Sequence, residues 1–456
     1  MEQAVRNMGW LGIFRLGLVQ AAIGAVVVIT TSTMNRVMVV ELAMPALLPG
    51  LLVALHYFVQ VLRPRLGYGS DVGGRRTPWI IGGMAALGAG AVCAAMATAL
   101  MATSPAFGIA LAVAAFLVIG LGVGACGTSM LVLLSTSVRQ DRLAAAATVT
   151  WVMMIVGFIV TTVFAGKWLD PFSLTRLVEV TAGVSAAALV VTTLAVHRLE
   201  GRVARLPRPA EASAAEPAFR EALREVWSEP HARRLASFIF VSMLAYSAQD
   251  LILEPFAGAV FGLTPGESTQ LSGLQSGGVL LGMLLVAVVC TAGSRWRVGS
   301  LRTWTIVGCV ASALLLVALA AASFAGPGWP LRPTVFALGL ANGAFAVAAI
   351  GSMMGLVGRG HRAREGVRMG LWGAAQAVAF GLGGLAGTAV VDLARLALGS
   401  PVAAYAFVFV AEAVLFVLAT VFAVRLSRED VDAQYAAASA EPSGSGPYAA
   451  PAGGAR

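Results

Sequence analysis

The chain is divided into about twelve apolar runs, each close to the ~20 residues that a helix needs to cross a hydrocarbon core of roughly 30 Å. They fall near 11–33, 45–65, 78–101, 106–136, 143–166, 175–196, 234–258, 269–291, 302–324, 333–357, 367–391 and 402–425. A backbone surrounded by lipid must satisfy its own polar groups, so runs of this length predict spanning helices. With 58% hydrophobic and 12% charged residues and a mean hydropathy of +0.84, the chain cannot be a soluble globular protein. An all-α polytopic membrane protein is expected. The opening MEQAVRNMGWLGIFRLG has no basic region, short apolar core or small-residue cleavage site, so the first run is expected to be retained as a helix.

A net charge of +9 raises the question of nucleic acid, which the placement of arginine answers more simply. With both termini cytoplasmic, Arg63, Arg65, Arg75 and Arg76, Arg139 and Arg142, the long central loop, Arg295, Arg297 and Arg302, and Arg359, Arg362, Arg364 and Arg368 all fall on one side. The other side holds scattered cations such as Lys167, Arg176, Arg332 and Arg395. Positive charge resists translocation, which gives an in/in topology and leaves nucleic-acid binding without a role.

Two arginine-rich turns, GYGSDVGGRRTPW (Gly67 to Trp79) and AGSRWRVGSLRTW (Ala292 to Trp304), lie half a chain apart, each between long apolar runs. Trp151 and Gly166 recur at the same spacing as Trp372 and Gly387, and Gly124-Ala125 as Gly343-Ala344. These echoes predict a duplicated module: one six-helix half over 1–196 and another over 233–426. The charged, Pro- and Ala-rich segment 197–232 would link them, carrying a short amphipathic helix through Phe219, Leu223, Val226 and Trp227. Residues 427–456 are expected to form a disordered cytoplasmic tail.

The pattern G-x-x-S-D-x-x-G-R-R between the second and third runs, with twelve runs in two halves, resembles the major facilitator superfamily. Gly67, Asp71, Gly74, Arg75 and Arg76 carry that signature. Glycine permits a tight turn, an aspartate can face a helix N-terminus, and the arginines hold the loop in the cytoplasm. A narrower resemblance comes from LHYFVQVLRPRLGYGSDVGGRRTPWI (Leu55 to Ile80), GVGACGTSMLVLL (Gly122 to Leu134) and AQDLILEPFAG (Ala248 to Gly258). These segments are similar to the PucC/LhaA family of purple phototrophic bacteria. The resemblance implies a factor for assembling light-harvesting complexes in the inner or intracytoplasmic membrane. It also implies antenna polypeptides as partners, a bacteriochlorophyll synthase as a further one, and bacteriochlorophyll as a transient ligand. A proton-coupled exporter of a hydrophobic compound is the alternative.

The candidate residues are few. A transporter of polar solutes should line its first, fourth, seventh and tenth helices with polar groups. Here the first offers Arg15 and Gln20, the tenth Asn342, and only the seventh, with Gln249, Asp250 and Glu254, is rich. Asp250 and Glu254 are one turn apart on one face. They suit a proton-responsive gate or polar contact, or else an interfacial position where Pro255 and Gly258 end the helix. His56 is the single histidine within a run, and two roles stay open for it: axial ligand to a pigment magnesium, or hydrogen-bonded packing residue. The four cysteines, Cys93, Cys126, Cys290 and Cys309, have no metal-like spacing and fit packing. Glycines such as Gly120, Gly122, Gly383 and Gly387 fit close helix contacts. No phosphate loop, Ser/His/Asp set or metalloprotease motif occurs, so no enzymatic activity is expected.

Overall fold

The computed structural model describes residues 8–60, 75–200, 230–292, 301–357 and 365–440. Twelve helices occupy them. The first half contains α1 (Trp10–Glu41), α2 (Leu47–Val59), α3 (Thr77–Met101), α4 (Pro105–Ser137), α5 (Gln140–Leu169) and α6 (Leu174–Val196). The second contains α7 (Pro230–Phe261), α8 (Pro265–Ala292), α9 (Leu301–Ala325), α10 (Leu331–Val357), α11 (Glu365–Leu398) and α12 (Pro401–Ala440). Ten of them are long and apolar enough to cross a membrane, and no strand is present among the described residues. The protein is a multi-pass membrane protein.

Local sequence sets the helix ends. Proline opens α4, α8 and α12, where its missing N–H costs nothing. Thr264 and Glu267 form a reciprocal capping box on α8: the Glu267 N–H donates to Thr264 Oγ1 (3.1 Å) and the Thr264 N–H to Glu267 Oε2 (3.0 Å). The ends of α7, α9 and α11 are each followed by a glycine with φ between 65° and 69°, the left-handed conformation that closes a helix.

Packing repeats between the halves. The pairs α1–α5, α2–α4, α3–α4, α3–α6 and α1–α6 have counterparts in α7–α11, α8–α10, α9–α10, α9–α12 and α7–α12. The halves meet through α2 with α11, α5 with α8, and α1 with α7. Each half has its own large buried core, and the one in the second half is aromatic, with Phe256, Phe345, Phe409 and Phe416 fully buried. The connections 42–46, 102–104, 170–173, 262–264, 326–330 and 399–400 share one end of the bundle, called the far end below.

Several helix boundaries depart from expectation, three of them with consequences for the site or the tail. α1 continues eight residues past 33, through two π-helical turns at Ile29–Thr33 and Val37–Glu41. α7 does not stop at Pro255 or Gly258 but runs to Phe261, because its neighbours take over the backbone groups that proline frees. α12 extends to Ala440, inside the tail expected to be disordered from 427; the run is rich in Ala, which favours helix. The expected amphipathic linker helix, with Phe219, Leu223, Val226 and Trp227, and residues 441–456 lie outside the described residues.

Candidate functional site

The site is best built outward from Pro255. Proline has no N–H, so the carbonyl of Leu251, one turn earlier, loses its acceptor role within the helix. Asn35 of α1 fills the gap: its Nδ2 donates to Leu251 O at 2.6 Å. One residue on, Arg36 is only 2% exposed. Its guanidinium pairs with Glu41 and donates through Nη2 to Leu263 O at 2.6 Å, just beyond the end of α7. Gly258 makes this possible, since a Cβ there would lie 2.9 Å from Nη2. The π turns of α1 flank this stretch and turn Asn35 and Arg36 into the seam between the halves.

Glu254 completes the network. It is 1% exposed and accepts from Ser272 Oγ of α8 at 2.6 Å, within electrostatic reach of Arg36. Thr33 and Thr269 hydroxyls meet at 3.0 Å. Two more cross-half links lie at the far end. The carboxylate of Asp392 on α11 accepts from the N–H groups of Ala46 and Leu47 (3.0 and 2.7 Å), capping α2. Thr264 donates to Asp170 at 3.0 Å. The far end is thus held shut by side-chain bonds that join the two halves.

Asp250 and Glu254, though a turn apart, have different surroundings. Asp250 is half-buried and lies within electrostatic reach of Tyr246 and of Glu412 on α12. Tyr246 belongs to an aromatic row across the seam, with ring centroids 6.0 Å from Phe380, which in turn is 5.9 Å from Tyr57 of α2. Gln249 is 1% exposed, and neither amide atom has a hydrogen-bond partner.

His56 is 2% exposed and receives the Gln60 amide on Nε2 at 3.0 Å. Its backbone carbonyl is pressed against α4, where a Cβ on Gly120 would come within 2.7 Å. A ligand could reach this nitrogen only by displacing Gln60. Arg15 donates to the carbonyls of Ala195 (2.8 Å) and His197 (2.6 Å), closing the end of α6 instead of facing a cavity. Gln20 contacts Met154.

Of the signature turn, Gly67, Asp71 and Gly74 lie outside the described residues; Arg75 is exposed and Arg76 half-buried. Glu200, beyond the end of α6, accepts from the Arg76 and Thr77 N–H groups (2.8 and 3.0 Å) and from Thr77 Oγ1 (2.8 Å), fixing the start of α3. Cys126 and Cys309 are buried and Cys93 half-buried, all as free thiols. No His/Cys/Asp/Glu group suited to a metal ion occurs among the described residues.

Solved structures with this arrangement are transporters. Over 91% of this chain and 99% of its own, the nucleoside transporter NupG matches with a TM-score of 0.68 at 14% identity. A bacterial homologue of the lysosomal transporter Spinster, inward-facing and unoccupied, matches over 94% and 98% with a TM-score of 0.64 at 16% identity. These likenesses show the major facilitator fold in two six-helix halves. Among sequence relatives, the "Bacteriochlorophyll synthase 44.5 kDa chain" of Rhodobacter capsulatus is 53% identical over 91% of this chain and 95% of that one. Protein PucC of the same species is 31% identical over 91% and 92%. Residues 33–431 match the family described as PUCC protein, so the chain belongs to the PucC family.

Proposed function

We propose that this protein is an assembly factor of the bacterial photosynthetic membrane, which handles bacteriochlorophyll, antenna polypeptides or both, with its termini in the cytoplasm. The observation that carries the reading is the family match over 33–431 together with a 53% identical relative named for bacteriochlorophyll synthesis. The chemistry of the seam supports it. The side chains of Tyr57, Phe380 and Tyr246 make a row of mutually tilted aromatic rings between the halves, a better partner for a macrocycle or an apolar helix than for a hydrated solute. Bacteriochlorophyll would bring a magnesium in need of an axial donor, and Nε2 of His56 is taken up by Gln60 in this conformation. The relative's name supports a role beside a pigment synthase, and the transporter fold supports one without catalysis by this chain.

Deleting the gene in a phototrophic host tests the reading. Near-infrared spectra of the membranes should lose antenna absorption while extracts still contain newly made bacteriochlorophyll. Antenna bands at wild-type height would refute the assembly role. Loss of pigment synthesis itself would replace it with an enzymatic one.

A further inference from the structure

Between the aromatic packing of Phe256 on Tyr405 and Phe409 and that of Phe345 on Phe416, the core of the second half contains a polar layer that no sequence motif announces. Glu412 of α12 is 2% exposed, and neither carboxylate oxygen has a hydrogen-bond partner. Since α7 and α12 are antiparallel and Phe256 packs on Tyr405 and Phe409, the residue of α7 level with Glu412 is close to 251. Gln249 and Asp250 are at that level, and the Gln249 amide is likewise buried and unpartnered. On α10, Asn342 lies one turn from Phe345 on the same side as Glu412 lies from Phe416. It is fully buried, accepts from Ser312 of α9 at 2.8 Å, and has an unpartnered Nδ2.

Three helices therefore bring a carboxylate and two amides to one level of a sealed aromatic core, with five polar atoms unused. Such atoms are not left idle in a stable core. The charges that face α12 are placed elsewhere or have the wrong sign. Arg395 and Asp392 of α11 are beside Tyr405, about two turns away, and Arg36 also reaches Tyr405. Cys309 of α9 contacts Thr420, about two turns in the other direction. From α7 come Asp250, a second acid, and Tyr246 beside it. No cation at this level, among the described residues, balances a Glu412 anion.

We propose that Glu412 is the seat of an exchangeable proton buried in the second half, with Gln249 and Asn342 as its hydrogen-bonding frame and the half-buried Asp250 as its port to the seam. On uptake the carboxylate gains one proton and becomes a neutral acid, whose O–H can donate to an amide oxygen such as Gln249 Oε1. On release the proton leaves by way of Asp250 and the anion is reformed. Pigment handling is not required for this site, which any proton-linked motion of the halves could use.

Infrared difference spectroscopy on the full-length protein in lipid nanodiscs tests it through the C=O band of protonated carboxyl groups. In the wild type and in Glu254→Gln, a deuterium-sensitive band should disappear reversibly as pH is raised. Glu412→Gln should lose it, with an amplitude of one carboxyl per protein. Gln249→Leu, which keeps the acid and adds no charge, should retain the band at a shifted frequency, and serves if Glu412→Gln does not purify. An unchanged band and titration in Glu412→Gln, or an unshifted band in Gln249→Leu, would overturn the proposal. So would a band displaced by sodium at constant pH and ionic strength, which would make the site one for a metal cation.

Discussion

Asn35 and Pro255 are complementary parts of one interaction: a proline removes a donor, and an asparagine on another helix supplies it. The bond is one of several polar links that join the two halves. Asn35→Ala should leave the Leu251 carbonyl buried without a donor, at a cost of about 1–3 kcal/mol in unfolding experiments in detergent. With Pro255→Ala the restored N–H of residue 255 can reclaim that carbonyl. In the double variant the penalty of Asn35→Ala should therefore fall to about 1 kcal/mol or less, a coupling that a double-mutant cycle measures directly. Equal penalties in both backgrounds would show that the proline is not what makes Asn35 necessary.

At the scale of the element, α1 is the helix the sequence described least well. An apolar run that ends at 33 hides the fact that VMVV resumes at 37 after a short polar interruption. Arg36 and Glu41 are five residues apart, a spacing that faces one direction in a π turn and not in an α-helix. The same π turns carry Thr33 to Thr269 of α8. A pair of replacements, Thr33→Cys with Thr269→Cys, should form a disulfide readily with a membrane-permeable oxidant, seen as altered gel mobility. Failure to cross-link would mean that the far end is open in the membrane. α7 gives the opposite lesson. Its polar residues were evident, but their shared face was not a shared environment, because Glu254 meets α8 and Arg36 whereas Asp250 meets Tyr246 and Glu412.

For the whole molecule, the architecture was legible because bilayer thickness fixes helix length and duplication leaves echoes such as Trp151 with Trp372. The matching helix pairs of the two halves are the packed form of those echoes. The polar seam was much less legible. Asn35, Arg36 and Asp392 act through partners hundreds of residues away, and no local pattern encodes a tertiary register. His56 shows the converse: a residue type suited to a ligand role, whose packing against α4 and bond to Gln60 are visible only in three dimensions.

The central claim, that a transporter fold here handles components of the photosynthetic membrane, is tested most directly by what the protein carries. The full-length chain, tagged and purified in mild detergent from a phototrophic host, should bring bacteriochlorophyll or antenna polypeptide in a fixed ratio to protein. The His56→Ala variant should carry the same amount, since His56 is buried and its Nε2 is bonded to Gln60. A wild-type preparation free of both pigment and antenna polypeptide would contradict the account.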